Sequence, residues 1–118
     1  KALKKVQRPD GFWNVSLHDP THFGGKETSG TALFVYGIAY GINNNLLDRE
    51  TYLPVITKAW NAMISDSVHE NGFLGWLQST GKEPKDGQPL RYDKQPDFED
   101  YGLGCFLLAG SEMYRLEI

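Results

Sequence analysis

Several groups of side chains in this sequence have types and spacings suited to chemistry. His18, Asp19 and His22 share one short stretch; imidazole titrates near neutrality and ligates metals, so the group could shuttle protons or hold a cation. A loop His-Asp-Pro is also a common hydrogen-bonded turn, and His18 could instead meet a sugar hydroxyl. Glu27 and Asp100 each precede a long apolar segment. Two carboxylates can divide acid and base work on a glycoside, but these positions are also those of helix N-caps, which is the preferred reading. Gln78-Ser79-Thr80-Gly81-Lys82 offers amide, hydroxyl and ammonium groups able to hold a carboxylate, or it is a solvated loop. Trp13 and Trp76 follow Gly-Phe pairs; their faces could stack on sugar rings, or each could pin its turn to the core. Cys105 is the only cysteine. Without an evident base partner it reads as a buried structural thiol, and no internal disulfide can form.

The background to these groups is a chain of 118 residues, 40% hydrophobic and 23% charged, which has the length of one compact domain spanning residues 1–118. Twelve Lys and Arg against 15 Asp and Glu give a net charge of -3, so there is no basic surplus for a nucleic-acid partner. The longest apolar run, Ala32 to Ile42, is well short of the ~20 residues of a membrane span. The chain opens on Lys-Ala-Leu-Lys-Lys, without an initiator Met or an apolar leader, so a preceding segment is expected. The compartment stays open.

The elements that must position the candidate residues are helical. Ala2, Leu3 and Val6 have helical spacing before the stop signal Arg8-Pro9-Asp10-Gly11. Such a short helix is unstable alone, so its missing turns are expected upstream. Glu27-Thr28-Ser29-Gly30 can cap a helix over Thr31–Ile42 that has no polar face and is expected to be buried all round. Gly30, Gly37 and Gly41 suggest close approach of neighbouring backbones. Asp48 can cap an amphipathic helix carrying Tyr52, Val55, Ile56, Ala59, Trp60 and Met63 on one stripe, with Pro54 expected to kink it or disturb its first turn. From Asp66 to Asp100 the Gly and Pro content is that of a functional loop, with short strands expected around Phe73–Leu77. Tyr101–Leu116 reads as a second buried helix, with Asp97 or Asp100 as cap.

The chain also repeats its own plan. Asp10-Gly11-Phe12-Trp13 leads to an apolar helix with Gly30, Ala32, Phe34 and Gly37; Asn71-Gly72-Phe73-Leu74 leads to one with Gly102, Gly104, Phe106 and Ala109. Each unit is an outer helix, a long loop opening on a Gly-Phe turn, an inner helix and a short return. Both long loops then lie on one face with the inner-helix N-termini, where a carboxylate would be modestly favoured.

These strings resemble a family. Gly11-Phe12-Trp13 with Ser16-Leu17-His18-Asp19-Pro20, Glu27-Thr28-Ser29-Gly30-Thr31-Ala32, Phe34-Val35-Tyr36-Gly37-Ile38-Ala39, Gly41-Ile42-Asn43-Asn44, Leu47-Asp48, Lys58-Ala59-Trp60 and Tyr101-Gly102-Leu103-Gly104 resemble, in order and spacing, glycoside hydrolase family 105, the unsaturated rhamnogalacturonyl hydrolases. The resemblance implies an all-α fold, helical hairpins forming part of an incomplete (α/α)6 toroid, and a hydrolase of 4,5-unsaturated galacturonyl ends left by pectin lyases. It implies no metal or cofactor. Only the C-terminal portion of the family is matched, so the catalytic aspartic acid is expected upstream and no catalytic residue is assigned here. Twelve helices with their connections would need roughly 270 residues, so this chain is expected to pair with a missing N-terminal half or a second copy. The expected partner is an oligosaccharide with an acidic sugar, and the substrate-binding candidates are Trp13, His18, Glu27, Trp76, Gln78, Ser79, Thr80 and Lys82. A non-catalytic carbohydrate-binding or assembly module is the alternative. An isoprenoid cyclase would need acidic clusters and a sugar epimerase paired histidines on inner helices; neither is present.

Overall fold

The computed structural model describes residues 1–94 and 100–117. Its helices are α1 (Ala2–Lys5), α2 (Thr28–Asn43), α3 (Arg49–Asp66) and α4 (Asp100–Glu117), with a 3-10 turn at Pro84–Gly87. No strand forms among the described residues: where strands were expected near Phe73, only a single antiparallel bridge joins Val68 and Leu74. The proposed cap Asp97 lies outside the described residues, as does the side chain of Asp100 proposed as a cap and as the partner of Glu27.

α2 is the centre of the packing, lying against both α3 and α4. Its Ala32, Val35 and Ala39 are wholly buried with Ile56, Ala59 and Met63 of α3 and Ala109 of α4. Two sets of contacts show that α2 and α4 run parallel. Near their N-termini, the Gln78 N–H donates to Glu27 while the Gln78 carbonyl accepts from the Tyr101 hydroxyl. Near their C-termini, Asn43 Nδ2 donates to Glu112 Oε2 at 2.7 Å. α3 runs back between them in sequence, its Asp48 side chain accepting from the Thr51 N–H at 2.7 Å.

α3 runs as one helix from its Asp48 cap with Pro54 inside it; the ring is exposed, so the Glu50 carbonyl that loses its partner can turn to water. Two expectations need correction. Neither α2 nor α4 is buried all round. Leu33 and Tyr40 of α2 are 46% and 45% exposed, and Leu103, Leu107 and Tyr114 of α4 are 45%, 60% and 69% exposed, because each helix has neighbours on only part of its circumference. Gly37 lies on the open side, where an added methyl would meet nothing within 4 Å, whereas one at Gly41 would strike the Leu47 side chain.

The internal repeat is present at the level of individual hydrogen bonds. In the first unit Arg8 N–H donates to the Phe12 carbonyl and Gly11 N–H to the Arg8 carbonyl; in the second His69 N–H donates to Phe73 and Gly72 N–H to His69. Asp10 Oδ1 accepts from Phe12 N–H and Asn71 Oδ1 from Phe73 N–H, both at 3.1 Å. Gly11 and Gly72 have φ of +102° and +86°, the left-handed region that glycine enters without steric cost.

Candidate functional site

The long loops meet at the N-terminus of α2, where buried Thr28 donates its N–H to the Trp76 carbonyl and its hydroxyl to the Gly75 carbonyl, and Glu27 joins the two as well. It precedes the helix in extended conformation, so its carboxylate folds back over the first turn. Oε1 accepts from Ser29 N–H at 3.1 Å, Ser29 Oγ at 2.7 Å and Gln78 N–H at 3.1 Å, and Oε2 accepts from Gly30 N–H at 2.6 Å. Only 5% of the residue is exposed. Burial of a carboxylate is tolerable only with such donors. The N–H groups that a helix start would offer to an anion are therefore already spent at α2, which overturns the expectation of a free anion-binding end there.

Beside this cap lies a cleft of about 290 Å³ lined by residues including Trp13, Leu17, Glu27, Leu33, Phe34 and Gln78. Leu33 is exposed, while Leu17, Phe34 and Gln78 are half-buried. The Gln78 backbone is held on both sides, by Glu27 and by Tyr101, so its side chain is presented from a fixed point.

The other candidates do not converge on the cleft as a set. Trp13 is 1% exposed; its ring packs edge-on against Phe34 at 5.3 Å, and its Nε1–H donates to the Leu3 carbonyl at 2.8 Å. Its faces are spent on the core, so the stacking-platform role gives way to pinning the turn and α1. Trp76 is half-buried with φ of +58°. Its Nε1–H donates to the Asp66 carbonyl, and Lys26 Nζ lies 5.5 Å from the ring centroid while ion-paired to Asp66 at 3.0 Å. One region of the ring thus already carries a cation. Ser79 is 5% exposed, and its Oγ has no partner among the described residues. Thr80 and Lys82 are exposed, the Lys82 N–H donating to Asp86. The five-residue loop therefore sends Gln78 to the cleft, Ser79 inward and Thr80 and Lys82 to solvent, instead of forming one carboxylate clamp.

His18 is exposed at the edge of the first long loop. The neighbouring Asp19 accepts from the Thr21 N–H and hydroxyl, which forms the hydrogen-bonded turn read from His-Asp-Pro; those bonds hold its carboxyl below the usual range. Among the described residues no group of three or more His, Cys, Asp or Glu side chains is arranged to hold a metal ion, and no helix is long and apolar enough to cross a membrane. Burial, with the nearby Glu27 charge, pushes the Cys105 thiol up and away from reactivity.

Asn14 escaped the sequence reading. It is 8% exposed, and its Oδ1 accepts from Arg8 Nη1 at 2.7 Å and from Gly25 N–H at 3.0 Å, tying the ends of the first long loop together. Its position after Gly11-Phe12-Trp13 was the available signal.

A sequence model of Glycosyl Hydrolase Family 88 matches residues 1–117. The chain belongs to this family. Two curated relatives carry the name unsaturated 3S-rhamnoglycuronyl hydrolase: one from Formosa agariphila, 40% identical over 98% of this chain and 29% of the relative, and one from an Alteromonas species, 38% identical over 96% and 26%. Among solved structures, a family 88 glycosyl hydrolase from Bacteroides vulgatus superposes with a TM-score of 0.86 at 40% identity, over 96% of this chain and 32% of that one. A possible member of the GH105 family from Salmonella enterica gives 0.78 at 26% identity, over 98% and 29%. The family 88 chain described here thus spans less than a third of the relatives it matches, and its resemblance to this group of glycoside hydrolases, families 88 and 105, is upheld.

Proposed function

We propose that this chain is the C-terminal portion of a glycoside hydrolase acting on unsaturated galacturonyl-rhamnose oligosaccharides, that it forms one wall of the sugar cleft within an (α/α)6 toroid, and that it is inactive alone. In the reaction an acid protonates the vinyl ether double bond of the 4,5-unsaturated uronyl residue, water adds at C5, and the hemiketal opens to release the neighbouring sugar. The single observation carrying this reading is the family match over residues 1–117, joined to relatives named for rhamnoglycuronyl hydrolysis. The open faces of α2 and α4 support it too, since the remaining hairpins of a toroid would cover them.

This chain's share of the work is binding and shape. Glu27 is the titratable carboxylate on the cleft, and its oxygens are committed to four donors, which suits a cap and not a proton donor. The acid is accordingly assigned to the part of the protein outside this chain. That same observation is what favours the second reading, a non-catalytic carbohydrate-binding or assembly module. Unsaturated uronyl-rhamnose disaccharides, from rhamnogalacturonan and of the 3S-rhamnoglycuronyl type, are the test. Turnover by the full-length protein carrying this chain, and not by the chain alone, is expected; saccharide binding without turnover by either would establish the second reading.

A further inference from the structure

We propose that the stacked rings of His69 and Tyr92 form an exposed platform for a pyranose ring, an accessory saccharide-binding site separate from the cleft at the start of α2. The choice of a sugar as its ligand rests on the hydrolase reading; the platform itself does not. The two ring centroids lie 3.7 Å apart with the planes 13° from parallel, and Phe73 meets the His69 ring edge-on at 5.0 Å. Three aromatic side chains from two separate stretches of the second long loop thus gather at one place.

The stack is held before any ligand arrives. His69 Nε2–H donates to the Tyr92 carbonyl at 2.8 Å, and the neighbouring Arg91 carbonyl accepts from the Trp76 N–H at 2.9 Å. The Tyr92 backbone lies so close to Gly75 that an added methyl there would collide with it. Backbone contacts therefore fasten the chain at Arg91 and Tyr92, and the Tyr92 ring is not needed for that task. Burial does not account for the ring either, since Tyr92 remains 40% exposed with one face against His69. An aromatic ring backed in one orientation and left facing water loses little freedom on binding, and its face suits the C–H face of a pyranose, which it removes from water in flat contact. The flanking charges are exposed and of both signs, Glu70 beside His69 and Arg91 and Asp93 beside Tyr92. Flat contact and not net charge then selects the ligand, so a chain that mixes neutral and acidic sugars is held by its neutral rings.

The platform is set apart from the cleft. His69 stands just past the end of α3, and neither ring lines the cleft; the two places are linked through the buried hydroxyl pair of Thr28 and Ser67 at 2.8 Å. It also lies on loops, off the exposed sides of α2 and α4 that further hairpins of a toroid would cover.

The experiment is native gel electrophoresis of the full-length protein carrying this chain, in gels containing rhamnogalacturonan or a sulfated rhamnose–glucuronic acid polysaccharide. Retardation by at least one polymer is expected. Tyr92→Ala is expected to need about fivefold more of that polymer for the same retardation, the scale of one lost aromatic contact, and Tyr92→Phe, which keeps the ring, to migrate as the wild type does. A second measurement needs no variant: in NMR spectra of the wild type, the ring signals of Tyr92 and His69 are expected to shift saturably with oligosaccharides of the retarding polymer. No retardation by either polymer, equal retardation of Tyr92→Ala and wild type, or ring signals that stay in place would overturn the platform. The two readings fail separately: disaccharide turnover without retardation sinks the platform and leaves the hydrolase, and ring-dependent retardation without turnover leaves the platform and sinks the hydrolase.

Discussion

Glu27 shows how one side chain can look catalytic in a sequence and be structural in the fold. Its four accepted hydrogen bonds join the first turn of α2 to Gln78, so Glu27→Ala removes a cap and strands buried donors. A loss of about 1–3 kcal/mol in urea unfolding is expected. Trp13→Ala, which empties a 1%-exposed site, is expected to cost about 3–5 kcal/mol and to free α1 by removing the bond to Leu3. Acid stability belongs to this scale as well. The Ser65 hydroxyl first, and Lys26 next, hold the Asp66 carboxyl below its ordinary value. At Asp10 burial pushes upward, but hydrogen bonds from Arg8 and Phe12 and the Arg8 and Lys26 charges outweigh it, and the net direction is again down. A lowered carboxyl contributes stability that is present above the ordinary carboxylate range and disappears as pH falls through the lowered value. Stability measured against pH should therefore drop on the acid side, and Asp66→Asn should flatten that drop.

At the scale of elements, the helices and their order were legible because each has a strong local signal. Asp48 caps α3, Glu27 caps α2, and the stripe from Tyr52 to Met63 faces the core. The Gly-Phe repeat was legible to the level of matching turns, since an Asx residue followed by Gly dictates its own hydrogen bonds. The site was less legible. Burial of Trp13 and the inward turn of Ser79 depend on tertiary packing that no spacing encodes, and an apolar helix does not reveal whether its neighbours are in the same chain. That is why α2 and α4 read as buried while Leu33, Tyr40, Leu107 and Tyr114 are exposed. Pro54 is accommodated within α3 because its exposed position lets water take the place of the lost bond. Pro54→Ala should restore a donor to the Glu50 carbonyl and raise stability by about 1–3 kcal/mol, measured by thermal unfolding of the chain.

For the whole molecule, the stripes at Leu33 and Tyr40 on α2, and at Leu103, Leu107 and Tyr114 on α4, are the surface that decides how the chain behaves alone. Exposed apolar rows of this kind drive association. The isolated chain is expected to self-associate in sedimentation, and the pair Leu107→Gln and Tyr114→Gln to shift it towards monomer without loss of helical circular dichroism. Gly37→Ala gives a check from the same face: with nothing within 4 Å of an added methyl, it should stabilise the isolated chain by about 0.5–1 kcal/mol, and lose that gain where further hairpins cover the site.

The most direct test of the central claim is the loss of double-bond absorbance from an unsaturated uronyl-rhamnose disaccharide, followed with this chain alone and with the full-length protein that carries it. Turnover by the full-length protein and none by the chain is the predicted result. Absorbance that stays constant with both would contradict the hydrolase, and turnover by the chain alone would contradict its role as a non-catalytic wall.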